Sequence, residues 1–345
     1  MSTMREVAAA AGVSAKTVSR VMHNDRYVSA DVRQRVERAI VELEYVPNVL
    51  ARSFRAGNDT AIGIAGPDVL DPFFAAVIRS VEQIARARGV VVFVTSLSDD
   101  GARERGGLEV LLGRQIAGLI ATPISRDQSY LKPWQARMAL VFIDRAPGRI
   151  TADSVIEDDL GGAEMATAHL IRHGHRRIGF IGDNLNIATT ARRLKGYRAA
   201  LAEAGIPPEP DLIAVGRTGG IDVSRATLDL LEAENPPTAL FSSNARCSVD
   251  IVPALQSIRR TDVALISFGD FPLASALQPP LTVIDQDPDE IGRLAATRLF
   301  ERIDHPQRRL KRQMVLPVSL VRRGSCCARE EQPPPDRPEV NCTIT

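Results

Sequence analysis

The chain has 345 residues, 44% hydrophobic and 25% charged, with a formal net charge of +1. That length suits two or three domains with a sizeable core, and the near-zero charge excludes a global field drawing the whole chain to nucleic acid or membrane. No run of about 18 apolar residues is present to span a bilayer, and Met1-Ser2-Thr3-Met4-Arg5-Glu6 has no apolar signal core, so a cytoplasmic chain is expected.

Thr3-Met4-Arg5-Glu6 is a capping box that starts a helix to about Ala11, with Val7 and Ala10 or Ala11 facing inward. Gly12 permits a tight turn. Ser14 then caps a second helix, Ala15 to Met22, that buries Val18 and Val21. Two short helices joined by a glycine turn make a helix-turn-helix. A third helix follows, capped by Ser29 or Asp31, with Val32, Val36, Ala39, Ile40 and Leu43 at helical spacing, and Pro47 closes it. The polar face of the second helix offers Lys16, Thr17, Ser19 and Arg20. A helix fits the major groove of B-DNA, where Arg or Lys can bond guanine and Ala15 can touch a thymine methyl. Residues 1–60 hold nine Arg or Lys and seven Asp or Glu, so charge does not separate DNA binding from a plain three-helix bundle with a solvated face.

The run Val7-Ala8-Ala9-Ala10-Ala11-Gly12-Val13-Ser14-Ala15-Lys16-Thr17-Val18-Ser19-Arg20-Val21 closely resembles the DNA-binding signature of the lactose-repressor (LacI) family. The match continues through Val28-Ser29, Tyr45-Val46-Pro47-Asn48 and Ala51-Arg52-Ser53. The resemblance implies that Ala15, Lys16 and Arg20 read bases, and that Thr17, Ser19, Asn24 and Tyr45 mainly hold phosphates or the fold. Ser14 opens the reading helix. Asn48 to Ala56 taken alone is a short polar linker or marginal helix. In the family it becomes a helix on the operator and enters the minor groove. There Asn48, Ala51 and Arg52 would face DNA, and Phe54, in place of the usual leucine, would wedge into the central base step.

From Ala61 onward apolar strands alternate with amphipathic helices. The expected strands are Ala61–Ala65, Val90–Thr95, Gly118–Thr122, Leu140–Asp144 and Ser154–Glu157, then Arg177–Gly182, Leu212–Val215, Ala239–Ser242, Ala264–Phe268 and Leu281–Ile284. Helices are expected over Phe73–Arg88, Leu160–Arg172, Thr190–Ala204 and Ile291–Ile303. This order gives parallel sheets covered on both faces. Two series suggest two doubly wound subdomains with a ligand between them at the strands' C-terminal ends.

The region resembles the periplasmic-binding-protein-like α/β core by which LacI-family repressors bind effectors. The resemblance rests on Asp71-Pro72-Phe73-Phe74, Ile143-Asp144-Arg145, His169-Leu170, His173-Gly174-His175-Arg176-Arg177-Ile178, Arg193-Leu194-Lys195-Gly196-Tyr197 and Gln286. It implies a helix-turn-helix domain over residues 1–46, a hinge over 47–59 and an effector-binding, dimerising core over 60–325. The core's N-subdomain would take about 60–157 and 286–316, and its C-subdomain about 158–284 and 317–325. Candidate effector contacts are Phe73 and Phe74 for ring packing, Asp144, Arg145 and Arg193 for hydroxyls or a carboxylate, and Asn244, Asp270 and Gln286. Each has an alternative structural role; the Phe pair could equally be core.

Two departures bear on the effector. Gly269 stands where the family usually carries an aspartate, and Ala245 where it carries an acid. These suggest lost acceptor charge, and hence a less hydroxyl-rich or acidic effector such as a sugar acid or sugar phosphate. Asp250 and Pro253 are expected to interrupt the helix after Asn244.

No dinucleotide fingerprint, P-loop or serine elbow is present, and His173-Gly174-His175 reads better as a helix C-cap than a metal pair. No enzyme activity and no cofactor are expected. Residues 326–345, with Cys326, Cys327, Cys342 and Pro333-Pro334-Pro335, read as a disordered tail. The expectation is a homodimeric transcription regulator, a repressor by family habit, on a pseudo-palindromic duplex operator under small-molecule control. The competing function is a solute-binding module without gene regulation.

Overall fold

The computed structural model describes residues 3–22, 25, 27–43, 45, 61–216 and 221–326. The chain forms two compact units, Met1–Thr60 and Ala61–Thr345.

In the first unit, helices α1 (Met4–Ala10), α2 (Ala15–Met22) and α3 (Ala30–Glu42) close around Val7, Ala8, Ala11, Val18, Val21, Val36 and Ala39. Ala8 rather than Ala10 completes the inward face of α1. The capping box forms: Glu6 N donates to Thr3 Oγ1, and Thr3 N to Glu6 Oε2 at 2.6 Å. Gly12 takes a φ of 64° at the turn, and Arg35 Nη1 donates to Ala11 O across 3.1 Å, holding α3 to that turn. Ser29, not Asp31, caps α3.

The second unit contains two six-stranded sheets. In the first, strands run in the order β11-β5-β4-β3-β1-β2, all parallel. They are β1 (Ala61–Gly66), β2 (Val91–Ser96), β3 (Gly118–Ala121), β4 (Ala139–Ile143), β5 (Asp153–Glu157) and β11 (Gln313–Leu316). In the second the order is β12-β10-β9-β8-β6-β7, parallel except for β12. These are β6 (Ile178–Asn184), β7 (Ile213–Gly216), β8 (Ala239–Ser242), β9 (Ala264–Phe268), β10 (Thr282–Asp285) and β12 (Ser319–Val321). Each sheet has its order reversal between its first and third strands, the place where doubly wound folds bind ligands at strand C-termini.

The sheets are covered by α4 (Pro72–Ala87), α5 (Gly101–Leu112), α6 (Lys132–Gln135), α7 (Asp159–Arg172), α8 (Ala188–Glu203), α9 (Val223–Glu232), α10 (Ala245–Ser257) and α11 (Pro288–Asp304). The chain passes between sheets after Glu157, after Asp285 and after Leu316.

Three expectations need correction. α10 continues through Asp250 and Pro253, because Ala245, Cys247, Ser248, Ile251, Ala254 and Leu255 on one side of it are all buried; that burial outweighs one lost backbone bond. Strands β11 and β12, only four and three residues long and half-exposed, are absent from the strands expected from the sequence. Cys326 does not start the tail: it is 1% exposed, packs in the second sheet's core, and its Sγ lies 3.5 Å from Leu265 O. Residues 327–345 lie outside the described residues.

Helices α7 and α8 meet where Gly196 faces Leu160 O, which a Cβ would approach to 2.4 Å. Gly196→Ala must therefore separate two packed helices, and a loss of about 2 kcal/mol is expected. A lowered urea midpoint with unchanged m-value would show it.

Candidate functional site

Strand ends and the loops after them build a cleft in the second unit. It is lined by Pro67, Asp71, Phe73, Phe74, Asp99, Asp144, Arg145, Asp183, Thr189, Arg193, Asn244, Ala245, Arg246 and Gln286, and encloses about 450 Å³, open solvent included. Seven of the eight expected effector contacts come together there. Asp270 does not: Gly269 turns the chain at a φ of 94°, and Asp270 pairs with Arg323, Oδ1 accepting from Nη1 at 3.0 Å. A side chain at 269 would be strained at that φ and would have to displace Gln286, whose Oε1 lies 2.7 Å from where its Cβ would be.

Phe73 and Phe74 open α4, capped by Asp71, whose Oδ1 accepts from Phe73 N at 2.9 Å. The rings pack edge to face, 5.0 Å apart, and belong to the core of the first sheet as well as to the cleft wall. Asp144 and Arg145 follow β4 and form an ion pair, Nε lying 2.9 Å from Oδ2; Arg145 Nη1 also donates to Pro123 O. Arg193 donates from Nε to Asp159 Oδ1 at 2.8 Å and from Nη1 to Ser243 O at 2.7 Å, with Phe268 stacked 3.8 Å from the guanidinium carbon. Its buried charge is thus already paired from within. Asn244 caps α10 through Oδ1 to Cys247 N and donates from Nδ2 to Asp183 Oδ2 at 2.9 Å.

Sequence reasoning missed Asp71, Asp99, Asp183, Thr189 and Arg246. Asp183 could have been found, since it falls one residue past the expected end of its strand. Arg246 could not. It reaches across the cleft from α10, donating from Nη2 to Asp99 Oδ2 at 2.9 Å on the first sheet's side and to Asp183 Oδ2 at 3.0 Å on the second's. Carboxylates on either side of its guanidinium raise its pKa against the effect of burial.

Acceptor charge enters the cleft from positions other than 245 and 269. Four aspartates line the cleft against three arginines, and Arg193 is spent on Asp159. Burial raises the pKa of Asp71. Behind the lining, Glu157 lies at the first crossing between sheets. Gln286 Nε2, at the second crossing, donates to its Oε1 at 2.6 Å, while Oε2 is buried with no hydrogen-bond partner among the described residues. Burial, then the charges of Asp144 and Asp159, push its pKa well above the ordinary value of 4.5. Burial also raises Asp159, opposed by Arg193.

In the first unit, Ser14 Oγ accepts from Thr17 N at 3.1 Å and so starts α2. Lys16 is exposed, Ala15, Thr17 and Ser19 are half-buried, and Arg20 is 43% exposed with Nε donating to Asp25 Oδ2 at 2.8 Å. That contact, with the Tyr27 amide, lowers the Asp25 pKa. Tyr45 packs against the three-helix core. Asn24, Asn48, Ala51, Arg52 and Phe54 lie outside the described residues.

Residues 3–48 match the family described as bacterial regulatory proteins, lacI family, and residues 167–326 the periplasmic binding protein-like domain. The ribose operon repressor of Escherichia coli K12 is 34% identical over 94% of this chain and 100% of its own. The HTH-type transcriptional repressor PurR of Aliivibrio salmonicida is 30% identical over 90% and 95%. A lac repressor dimer bound to operator and the anti-inducer ONPF superposes with a TM-score of 0.79 at 26% identity, covering 95% of this chain and 99% of that one.

An acid whose pKa is raised by folding keeps a proton that the unfolded chain has released, so rising pH favours unfolding from the unfolded value upward. Glu157 and Asp159 both act in this sense, so stability should fall as pH rises above about 4.5. Glu157→Gln keeps the shape without the titration, and urea midpoints followed between about pH 5 and 8 should decline less steeply than in the parent. An unchanged slope would mean that Glu157 is ionised in the fold.

Proposed function

The chain belongs to the lacI family of bacterial regulatory proteins, and from that premise we propose which of its residues carry DNA reading and effector binding. It is a DNA-binding transcription repressor, dimeric on its operator and controlled by a small molecule, and not an enzyme. No helix among the described residues is long and apolar enough to cross a membrane, and the proposed place of action is the cytoplasm, where the DNA is.

For the operator, Lys16 and Arg20 on α2 are the base-reading side chains, with Ala15 against a thymine methyl. Ser14, Thr17, Ser19 and Tyr45 hold backbone phosphates or the helix itself. The support is the exposed face of α2 over a fully packed three-helix core. Asp25 holds Arg20 by Nε alone, which orients the guanidinium on that face. Asn24, Asn48, Ala51, Arg52 and Phe54 complete the set by family likeness.

For the effector, the observation that carries the reading is the surplus of aspartates in the cleft. Carboxylates accept hydrogen bonds from hydroxyls, and the Phe73–Phe74 pair offers an apolar face to a sugar ring. An anionic effector would add charge to a site already holding Asp71, Asp99, Asp144 and Asp183. We therefore assign a small neutral polyhydroxyl compound, in keeping with the sugar named in the ribose operon repressor, in place of a sugar acid or phosphate. Binding between the sheets would change their mutual angle and shift the dimer contact. Edge strand β2, with Val91 and Val94 exposed at 51% and 45%, is the surface proposed for that contact. Coupling of this kind is typically ~1–3 kcal/mol.

Selection of operators from random duplex DNA by the purified protein should enrich a pseudo-palindrome. Arg20→Ala should then lose about 1–3 kcal/mol at one base of each half-site and little elsewhere; a uniform loss over all sequences would contradict base reading. Calorimetry with neutral monosaccharides, sugar acids and sugar phosphates should show binding to a neutral sugar, weakened about tenfold or more in Asp183→Asn. Binding of phosphorylated sugars alone would overturn the assignment.

A further inference from the structure

In a parallel sheet the helix-to-strand connections all lie at the strands' N-terminal edge. In the first sheet these are residues 88–90, 113–117, 136–138 and 305–312. They carry seven Arg or Lys and no Asp or Glu. The helix-to-strand connections of the second sheet, 173–177, 204–212, 233–238 and 258–263, carry four Arg and four Asp or Glu. Two of those arginines are paired within that rim, Arg177 with Glu209 and Arg260 with Asp262. The two sheets share one strand order and differ only in the direction of the last strand, β11 parallel and β12 antiparallel, so the one-signed rim is not a product of the strand order.

The cations of the first rim are largely unspent. Arg114, Arg137, Arg309 and Lys311 are exposed, and none makes a side-chain ion pair among the described residues. Arg308 reaches Glu301 only at 3.4 Å and Arg312 reaches Asp153 only at 3.9 Å, each arginine being 56% exposed. Arg88 is the exception, held by Asp304 at 2.6 Å. Like charges on neighbouring loops repel, and a solvated surface ordinarily mixes signs. Strand β1 also starts at this same edge, at Ala61, the first residue of the second unit. The linking residues 46–60, even fully extended, span at most roughly 50 Å. A duplex held by the first unit is thereby kept at high effective concentration near this edge.

We propose that this rim binds the phosphate backbone of duplex DNA outside the operator. The proposal rests on the reading of the first unit as a DNA binder. Duplex DNA carries one charge per about 1.7 Å of axis, and each cation seated on a phosphate steepens the salt dependence of log K by about 0.9. The rim adds affinity for long duplexes without adding sequence preference.

The test compares full-length protein on two duplexes with the same central operator, one of about 20 base pairs and one of about 50. The parent protein should bind the long duplex about tenfold more tightly at low salt, with a salt slope steeper by roughly 2 to 4. The fourfold variant Arg114→Gln, Arg137→Gln, Arg309→Gln, Lys311→Gln should lose that increment yet bind the short duplex and the effector as before. The single reversal Arg309→Glu, on an exposed side chain, should lose part of it. Equal affinity of the parent for both lengths overturns the proposal, and a phosphorylated protein would then be the partner to seek. An increment that survives in the fourfold variant overturns it too. Failure of the parent to select any short duplex would instead remove the DNA-binding premise itself.

Discussion

The second unit depends on one hydrogen bond at its waist, from Gln286 to Glu157. Each residue sits where the chain leaves one sheet for the other, so the bond ties two of the three crossings together. It does so with a buried acid whose other oxygen has no hydrogen-bond partner among the described residues. Such a group is costly to bury in its charged form, and Asp144 and Asp159 make ionisation costlier still. The waist is therefore built from a carboxyl whose pKa is raised by burial, next to the hydrogen-bonded Asp159–Arg193 pair, with Phe268 closing over the guanidinium. Gln286 Oε1 lies where a side chain at 269 would start, and the φ of 94° there suits glycine.

The cleft grows outward from this waist. Arg193, the effector-binding arginine implied by the family, is held by Asp159 and Ser243. The arginine that spans the opening is Arg246, one helical position past the Ala245 departure. Its bonds to Asp99 and Asp183 link the two sides of the cleft. Of these two aspartates, Asp183 already accepts four hydrogen bonds, whereas Asp99 Oδ1 has no hydrogen-bond partner among the described residues. Loss of the acid at 269 thus coexists with an acidic site, because charge is supplied from β6 and from the loop after β2.

The first unit follows a different logic. Its core is a handful of small apolar side chains, and its stability rests on caps and short ties such as Arg35 to Ala11. With so little net charge of its own, it must gain affinity through specific contacts on α2 and through phosphates met elsewhere. The one-signed rim of the first sheet is where the rest of the chain can provide the latter.

Much was legible in the sequence because it is local. The capping box, Gly12 and the spacing of Val18 and Val21 define a helix-turn-helix through backbone chemistry that acts within a few residues. Ten of the twelve strands are apolar runs bounded by turn residues, visible for the same reason. The pocket's Phe73, Asp144 and Arg193 were reachable through likeness to a family. Tertiary structure alone decided the rest. Burial carried α10 through Pro253, an Arg323 partner took Asp270 out of the cleft, and core packing claimed Cys326 from the tail. Arg246 gained its role from Asp99, 147 residues away, and the cationic rim exists only because parallel topology gathers four separate loops at one edge. A local pattern states which element forms; which charges meet depends on distances that no local pattern contains.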